Sequence, residues 1–461
     1  MSIHSSNGGE PKKRAIVLTD GEHYPAVTRD AIVELSSNYH VLAAVFIGGT
    51  EKIGSDADLA RLGVPVVRGG NYLEAIQQAI QEYRIDEVLD LSDEPVVGYR
   101  ERFAIASVVL ANGAVYTGAD FRFSPPLAAA SVSRPSISVI GTGKRIGKTA
   151  VGAFIARVLT EEFNPLVVTM GRGGPAQPEL LLNTEVNITP EYLLSVSRQG
   201  RHASSDHFED LLMSRVSTIG CRRCGGGMSG QTFFSNVHLG AQLSETIDAD
   251  IVVFEGSGSS IPSVSTDARV LVIGAHQPVD YIRSYLGPYR VLTSDLVILT
   301  MCESPMADAA KIDEMYDAVR AIKPSCTVVK TVFRPRPIGD IQGKRVVITV
   351  TTPPAIVDVI KSHLESNYGC EVAGTSTRLS NRPLLREALS QFEAMKPDAV
   401  VTELKAAAVD VVTAWALERG IEVVYMDNEP IATEPGVDLA GEIVKLARSI
   451  KSLPKYKRTD S

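Results

Sequence analysis

The chain has 461 residues, enough for two to four domains with sizeable cores, and its apolar and charged fractions are those of a globular protein. A net charge of −8 argues against a general nucleic-acid binder, whose footprint is basic, so any polyanion site must be a local concentration of arginine and lysine. Five cysteines (221, 224, 302, 326, 370) imply no disulfide framework, and no apolar run approaches the length that spans a bilayer. Residues 1–12 are polar, lack an apolar signal core and read as a disordered tail, which makes the expected location cytoplasmic.

The apolar run Arg14 to Thr19 reads as a strand ending in Asp20-Gly21-Glu22-His23. A helix from Thr28 to Ser37 and a strand from Val41 to Ile47 follow, then a strand at Val64 to Val67. Asn71 to Tyr83 has helical spacing, with Leu73, Ile76, Ile80 and Tyr83 on one stripe. Val88 to Leu91 runs into a second acidic strand end, Ser92-Asp93-Glu94-Pro95; Arg100 to Ala111 is helical and Ala114 to Tyr116 closes the set. Strands alternating with helices predict a parallel sheet covered on both faces, so 13–125 is read as a Rossmann-like domain. Polar residues at carboxyl ends of strands are where such sheets bind ligands, although acidic residues there also serve as helix caps. The Pro-containing stretch 126–135 reads as a linker.

The strand Ile137 to Ile140 then leads into Gly141-Thr142-Gly143-Lys144-Arg145-Ile146-Gly147-Lys148-Thr149, and Ala150 to Leu159 continues as a helix. Strand, glycine-rich loop, Gly-Lys-Thr and helix form the arrangement that cradles nucleotide phosphates: backbone N–H groups wrap the anion at a helix N-terminus. In that role Lys148 reaches the β- and γ-phosphates and the Thr149 hydroxyl sits on Mg²⁺. The loop has Thr142 where the usual pattern wants glycine, and in this it resembles dethiobiotin synthetase and its ParA/MinD-like relatives. Those relatives often carry a second lysine near the loop start; Gly143 stands there here, which leaves Lys144 or Arg145 to substitute.

Further buried strands are expected at Pro165 to Met170, Ile251 to Phe254, Ala268 to Ile273, Leu296 to Met301 and Thr327 to Val332. Residues 195–235 show no clear periodicity and read as a long loop. Arg334-Pro335-Arg336-Pro337 marks a boundary, after which Lys344 to Ile348 echoes Lys13 to Val17 and Asn381 opens a helix as Asn71 does. The expected fold is α/β: a P-loop NTPase core (136–338) flanked by Rossmann-like parallel-sheet units, the second at 339–461.

Glu255, at the end of a buried strand about a hundred residues past the loop, is placed to hold Mg²⁺ directly or through water. Cys221-Arg222-Arg223-Cys224-Gly225-Gly226-Gly227 offers guanidinium forks beside glycines that let backbone N–H groups approach an anion. The same cysteine pair supplies two of the four ligands of a zinc site. Arg198, Arg201 and His202 add local positive charge, and Gly171-Arg172-Gly173-Gly174 is a turn suited to close backbone approach. Weaker candidates are His276 with Asp280, and the group Asp20, Glu22, His23, Asp93 and Glu94.

Asp20-Gly-Glu-His-Tyr-Pro25, Asp93-Glu-Pro95, Gly118-Ala-Asp-Phe121, the loop 141–149, Gly171-Arg-Gly-Gly174 and Gly220-Cys-Arg-Arg-Cys-Gly-Gly-Gly227 together resemble the cyclic 2,3-diphosphoglycerate synthetase family. The resemblance implies an ATP-dependent ligase that uses Mg²⁺, with K⁺ as activator, to close an intramolecular phosphoanhydride in 2,3-diphosphoglycerate, releasing ADP and phosphate. It implies a homodimer acting on a small polyanion, with no nucleic-acid or membrane partner. The loop 141–149 would hold ATP; Lys148, Lys144, Arg145, Arg222 and Arg223 would stabilise charge. Arg172, Arg201, Arg222, Arg223, Gly225 and Gly226 would bind substrate, and Thr149 with Glu255 the metal. A dethiobiotin- or cobyrinate-type ligase and a ParA/MinD-like nucleotide switch are the other readings; the absence of lysine at 143 counts against the switch.

Overall fold

The computed structural model describes residues 11–53 and 55–456, so most of the expected N-terminal tail lies outside the described residues. The chain forms two compact units, one of residues up to Leu127 together with Val279–Thr293, the other of Ala128–Pro278 and the remainder from Ser294.

In the first unit, β1 (Lys13–Thr19), β2 (Tyr39–Phe46), β3 (Val66–Val67), β4 (Glu87–Asp90), β5 (Val115–Thr117) and β6 (Arg122–Phe123) form one sheet in the order β3-β2-β1-β4-β5-β6. All neighbours are parallel except β5 with β6. The helix Tyr72–Tyr83 is amphipathic as its spacing predicts, burying Ile76 and Ile80, and Asn71 caps it by accepting from Leu73 N–H at 2.9 Å. The sequence gives no sign that Val279–Thr293 belongs here. Its Tyr285 ring packs edge-on against Phe103 at 5.5 Å, and its Tyr285 carbonyl accepts from the Ser107 hydroxyl at 3.2 Å.

The second unit is built on a long sheet of β8 (Ser136–Gly141), β9 (Pro165–Gly171), β10 (Glu179–Leu181), β11 (Thr218–Cys224), β12 (Phe234–Ser235), β13 (Ile251–Glu255), β15 (Ala268–Gly274), β16 (Leu296–Thr300), β17 (Thr327–Pro337), β18 (Arg345–Thr349), β19 (Glu371–Ser376), β20 (Ala399–Glu403) and β21 (Glu422–Ala432). Its order is β10-β11-β9-β13-β8-β15-β16-β17-β21-β20-β18-β19, with β12 pairing β11. The central strands β8, β9, β13 and β16 are buried along their whole length; β9, β13 and β16 accordingly read as near-continuous apolar runs, while β8 alternates buried serines with its apolar residues.

Strand β17 joins the core to the C-terminal section. Thr327–Lys330 pair in parallel with β16, and Thr331–Pro337 pair antiparallel with β21, so 136–338 and 339–461 share one sheet. The C-terminal helix Leu439–Lys451 packs Leu439, Ile443, Ala447 and Ile450 into the same core as Phe154 and Ile155 of the helix Lys148–Leu159. The stretch read as a linker is docked as well: β7 (Ala130–Ser131) pairs with β14 (Val264–Ser265), and Arg134 donates to the Ser244 carbonyl at 2.9 Å.

One expectation fails outright. Residues 195–235, read as a long loop, contain the end of the helix Pro190–Arg198, the helix Asp206–Ser214 and the interior strand β11. That helix has only nine residues, too few to show a period, and β11 is spelled Thr-Ile-Gly-Cys-Arg-Arg-Cys, with little β-branched character. Tertiary burial, rather than local preference, sets both.

Candidate active site

β8 ends at Gly141, and the helix Lys148–Leu159 begins after Gly147, whose φ of 78° lies in the left-handed region. The Phe333 ring fills the space a side chain at Gly147 would need, its Cζ 2.1 Å from the ideal Cβ position, so only glycine serves there. The loop is held from outside: Thr142 N–H donates to the Val272 carbonyl at 3.2 Å, and the Ile146 carbonyl accepts from the Thr300 hydroxyl at 2.8 Å. Lys144 and Arg145 are exposed at the tip.

Lys148 is only 9% exposed, and its Nζ lies 3.6 Å from Oε2 of Glu255 at the end of β13. Gly152, one turn along the helix from Lys148, admits that carboxylate: a Cβ there would sit 1.6 Å from Glu255 Oε1. Burial pushes the Glu255 carboxyl up to about 7, Lys148 opposes the shift, and Asp206 and Glu209 add to it. Glu255 Oε1 is buried with no hydrogen-bond partner. An orphaned carboxylate oxygen beside the Thr149 helix start suits a divalent cation, which would replace the missing partner and lower that pKa. Among the described residues no three His, Cys, Asp or Glu side chains converge to hold a metal by themselves. The residues therefore fit Mg²⁺ in the way nucleotide enzymes hold it, through one or two protein oxygens with phosphates and waters completing the shell.

Sequence reading missed three further acids, Asp206, Glu209 and Asp210, on the helix Asp206–Ser214. Asp210 is fully buried with neither oxygen paired, and burial, followed by the charges of Glu255 and Asp206, raises its pKa well above the usual carboxylate range. Asp206 lies against the end of β9, with Oδ2 2.9 Å from the Cβ position of Gly171, and Glu209 pairs with Lys405 at 3.3 Å. Their helix of nine residues is too short for its spacing to signal them in the sequence.

The arginines separate. Arg222 and Arg223 are consecutive on β11 and so leave opposite faces. Arg223 is 8% exposed; its Nη2 donates to the Ser257 carbonyl at 2.7 Å and its Nη1 to the Gly225 carbonyl at 3.1 Å, while Nε has no partner. Arg172 joins it at Gly258, where the ideal Cβ position is 2.8 Å from Arg172 Nη2 and 3.6 Å from Arg223 Nη2. Burial and then the charge of Arg172 lower the Arg223 pKa, with the Asp206 carboxylate opposing them. Gly258 is also part of the loop wall: its carbonyl lies 3.3 Å from the Cβ position of Gly141, which is 3.6 Å from Lys148 Cδ.

The other candidates fall elsewhere. Arg222 has a buried Nε without a partner, and its backbone N–H donates to Asn236 Oδ1 at 2.7 Å. Arg201 is ion-paired with Glu179 and lies over the Phe208 ring at 5.7 Å. Gly225 (φ 70°) packs on Phe233, and Gly226 on Ser260. Cys221 and Cys224 also lie on opposite faces of β11, the first buried with its thiol pushed up to about 12 and the second exposed, so they do not form a joint metal site. His276 belongs to the second unit and Asp280 to the first. Within the first unit, His23 Nδ1 lies 2.9 Å from Asp20 Oδ1, Asp93 N–H donates to Asp20 Oδ2 at 2.5 Å, Glu22 interacts with Glu51, and Glu94 is exposed.

A parallel sheet, a phosphate loop opening a helix, and a lysine opposed to a carboxylate on the adjacent strand define a P-loop nucleotide-dependent protein. The family model for the P-loop domain of cyclic 2,3-diphosphoglycerate synthetase matches residues 136–332, that for its N-terminal domain 14–124, and that for its C-terminal domain 337–429. The chain belongs to the cyclic 2,3-diphosphoglycerate synthetase family. It is 51% identical over 437 residues to the cyclic 2,3-diphosphoglycerate synthetase of Thermococcus kodakarensis, covering 94% of this chain and 98% of that one. Identity to the protein of the same name from Methanothermus fervidus is 48% over 453 residues, covering 95% and 98%. Among solved structures, LpxK from Aquifex aeolicus in complex with ATP matches at 11% identity with a TM-score of 0.40, covering 70% of this chain and 90% of that one.

Proposed function

We propose that this chain is an ATP-dependent ligase that makes cyclic 2,3-diphosphoglycerate from 2,3-diphosphoglycerate, with release of ADP and inorganic phosphate. One substrate phosphate oxygen attacks the γ-phosphorus of ATP and ADP leaves. An oxygen of the second phosphate then attacks the phosphorus so activated, and the transferred group departs as inorganic phosphate as the ring P–O–P bond closes. Phosphate is already an oxyanion, so the protein's task is to position and neutralise rather than to remove a proton. Loop 141–149 holds the nucleotide and Lys148 offsets charge on the transferring group. Arg172 and Arg223 hold a substrate phosphate beside that loop. Thr149 and Glu255 would hold Mg²⁺, which supplies further charge neutralisation when bound. Lys144, Arg145 and Arg222 remain candidates for contacts made only when ligands are bound; Arg201 is proposed as a lesser contributor because Glu179 already occupies it.

The observation that carries this reading is the meeting of Arg172 and Arg223 at Gly258, against the wall of the phosphate loop. A ligase acting on a carboxylate needs less positive charge at that point. Activation by K⁺, a homodimer, a cytoplasmic location and the division into parts at 13–125, 136–338 and 339–461 belong to the same proposal and rest on the family. Among the described residues no helix is long and apolar enough to cross a membrane.

Arg172→Ala and Arg223→Ala are each expected to weaken 2,3-diphosphoglycerate binding roughly ten- to a hundredfold, since a charge-assisted contact is worth about 1.5–3 kcal/mol. ATP affinity should stay within a few-fold. Calorimetric titration of each variant with substrate and, separately, with nucleotide checks this. Unchanged substrate affinity in both variants would remove the arginine pair from the substrate site.

A further inference from the structure

Gln277 lies three residues beyond the end of β15, the strand that pairs with β8 and so flanks the phosphate loop. It is a neutral side chain, 6% exposed, and no motif pointed to it. Its Oε1 is committed twice: the Thr142 hydroxyl donates to it at 2.5 Å and the Gly274 N–H at 3.4 Å. A backbone N–H can only donate, so the Gly274 contact fixes which end of the carboxamide is oxygen. Nε2 then faces the loop, 2.9 Å from where a Cβ on Gly143 would lie, and makes no hydrogen bond to any described residue. The missing side chain at Gly143 is thus what keeps the amide's path to the loop interior open.

We infer that Gln277 is a nucleotide-contacting residue whose Nε2–H donates to an oxygen of the γ-phosphate. The inference rests on the reading that loop 141–149 takes ATP. Backbone N–H groups of such a loop cradle the α- and β-phosphates, so the γ-phosphate oxygens are the ones that require side-chain donors. Lys148 supplies one from the helix side. Gln277 supplies another from the strand side, without adding a second buried charge to a site that already contains Lys148, Glu255 and Asp210. An amide locked by Thr142 and Gly274 also costs little to order when the nucleotide binds. Gln277 therefore makes the site sensitive to whether the third phosphate is present.

The test is equilibrium binding of ADP and of a β,γ-imido analogue of ATP, with Mg²⁺, to the full chain carrying Gln277→Glu or Gln277→Ala. Gln277→Glu preserves shape and the acceptor for Thr142 and Gly274, but turns the donor into an acceptor facing phosphate. It is expected to weaken the analogue by more than roughly tenfold while ADP stays within about threefold. Gln277→Ala should move the analogue in the same direction by less. Equal weakening of both nucleotides, which a role confined to bracing the loop would give, overturns the inference, as does wild-type affinity in Gln277→Glu. A wild-type chain that binds neither nucleotide would overturn the ATP reading itself and this inference with it.

Discussion

Lys148→Ala is expected to lower ADP release by at least roughly 10²–10³-fold while leaving the fold in place. Removing one preorganised donor from developing transition-state charge typically costs that much, and here the donor carries a full charge in a dry site. Folding should survive because Glu255 has a route to neutrality. Burial already pushes its carboxyl up to about 7, and without Lys148 opposing that effect it will take up a proton rather than remain an unpaired buried charge. The measurement pairs a coupled ADP assay with a thermal melt of the same preparation. Near-normal ADP release from a folded variant would remove the phosphate loop from the reaction.

Asp427→Ala is expected to lower stability by about 2–3 kcal/mol, because it removes the buried carboxylate that two part-buried arginines share and leaves them only Glu429. Asp427 lies in β21 and is 4% exposed. Its Oδ2 accepts from Arg157 Nη1 at 2.9 Å and from Arg336 Nη2 at 3.2 Å, and the Met213 carbonyl accepts from the same two arginines at 3.3 and 2.8 Å. Arg157 Nη2 and Arg336 Nε make no hydrogen bond, but each lies 3.6 Å from the Glu429 carboxylate, an ion pair that stays in the variant and offsets part of the loss. Arg157 belongs to the phosphate-loop helix and Arg336 to β17, so Asp427, with Glu429 beside it on β21, ties the C-terminal strands to the nucleotide-binding core. For a unit of this size the melting temperature should fall by roughly four degrees. Core and C-terminal section should fall together in calorimetry, since they share a sheet. A shift of about one degree or less would show that the network contributes little.

What the sequence reveals here depends on how local each signal is. The loop 141–149 was legible because glycine at 147, lysine at 148 and threonine at 149 answer to a requirement met within nine residues: a left-handed turn, a helix start and a cation. Glu255 could be singled out because it ends an apolar run about a hundred residues past the loop, and the fold does set it beside Lys148. Asp206, Glu209 and Asp210 were not, because their helix is short and its meaning depends on Glu255, some fifty residues away in the chain. Arg172 and Arg223 were each singled out, yet their pairing was not foreseen: Arg223 was assigned with its chain neighbour, while strand alternation separates it from Arg222 and the fold brings it to Arg172. Gln277 carried no signal at all, since a lone glutamine near a strand end means nothing until Gly143 is seen beneath it. The alternation of strands and helices gave the fold class, but not the reach of the sheet. β17 reads as a strand with a Pro-containing boundary, and only the pairing of Thr331–Pro337 with β21 shows that the sheet continues through it.

The central claim is that the phosphate loop and the arginine pair beside it act on one bisphosphate to close a ring. Phosphorus NMR of the full chain with ATP, Mg²⁺, K⁺ and 2,3-diphosphoglycerate tests it most directly, because an anhydride phosphorus resonates apart from a phosphate monoester. The account predicts that the two monoester signals decay together into cyclic anhydride signals, with ADP and inorganic phosphate appearing in equal amounts. ADP and phosphate released while the substrate signals stay unchanged would contradict it.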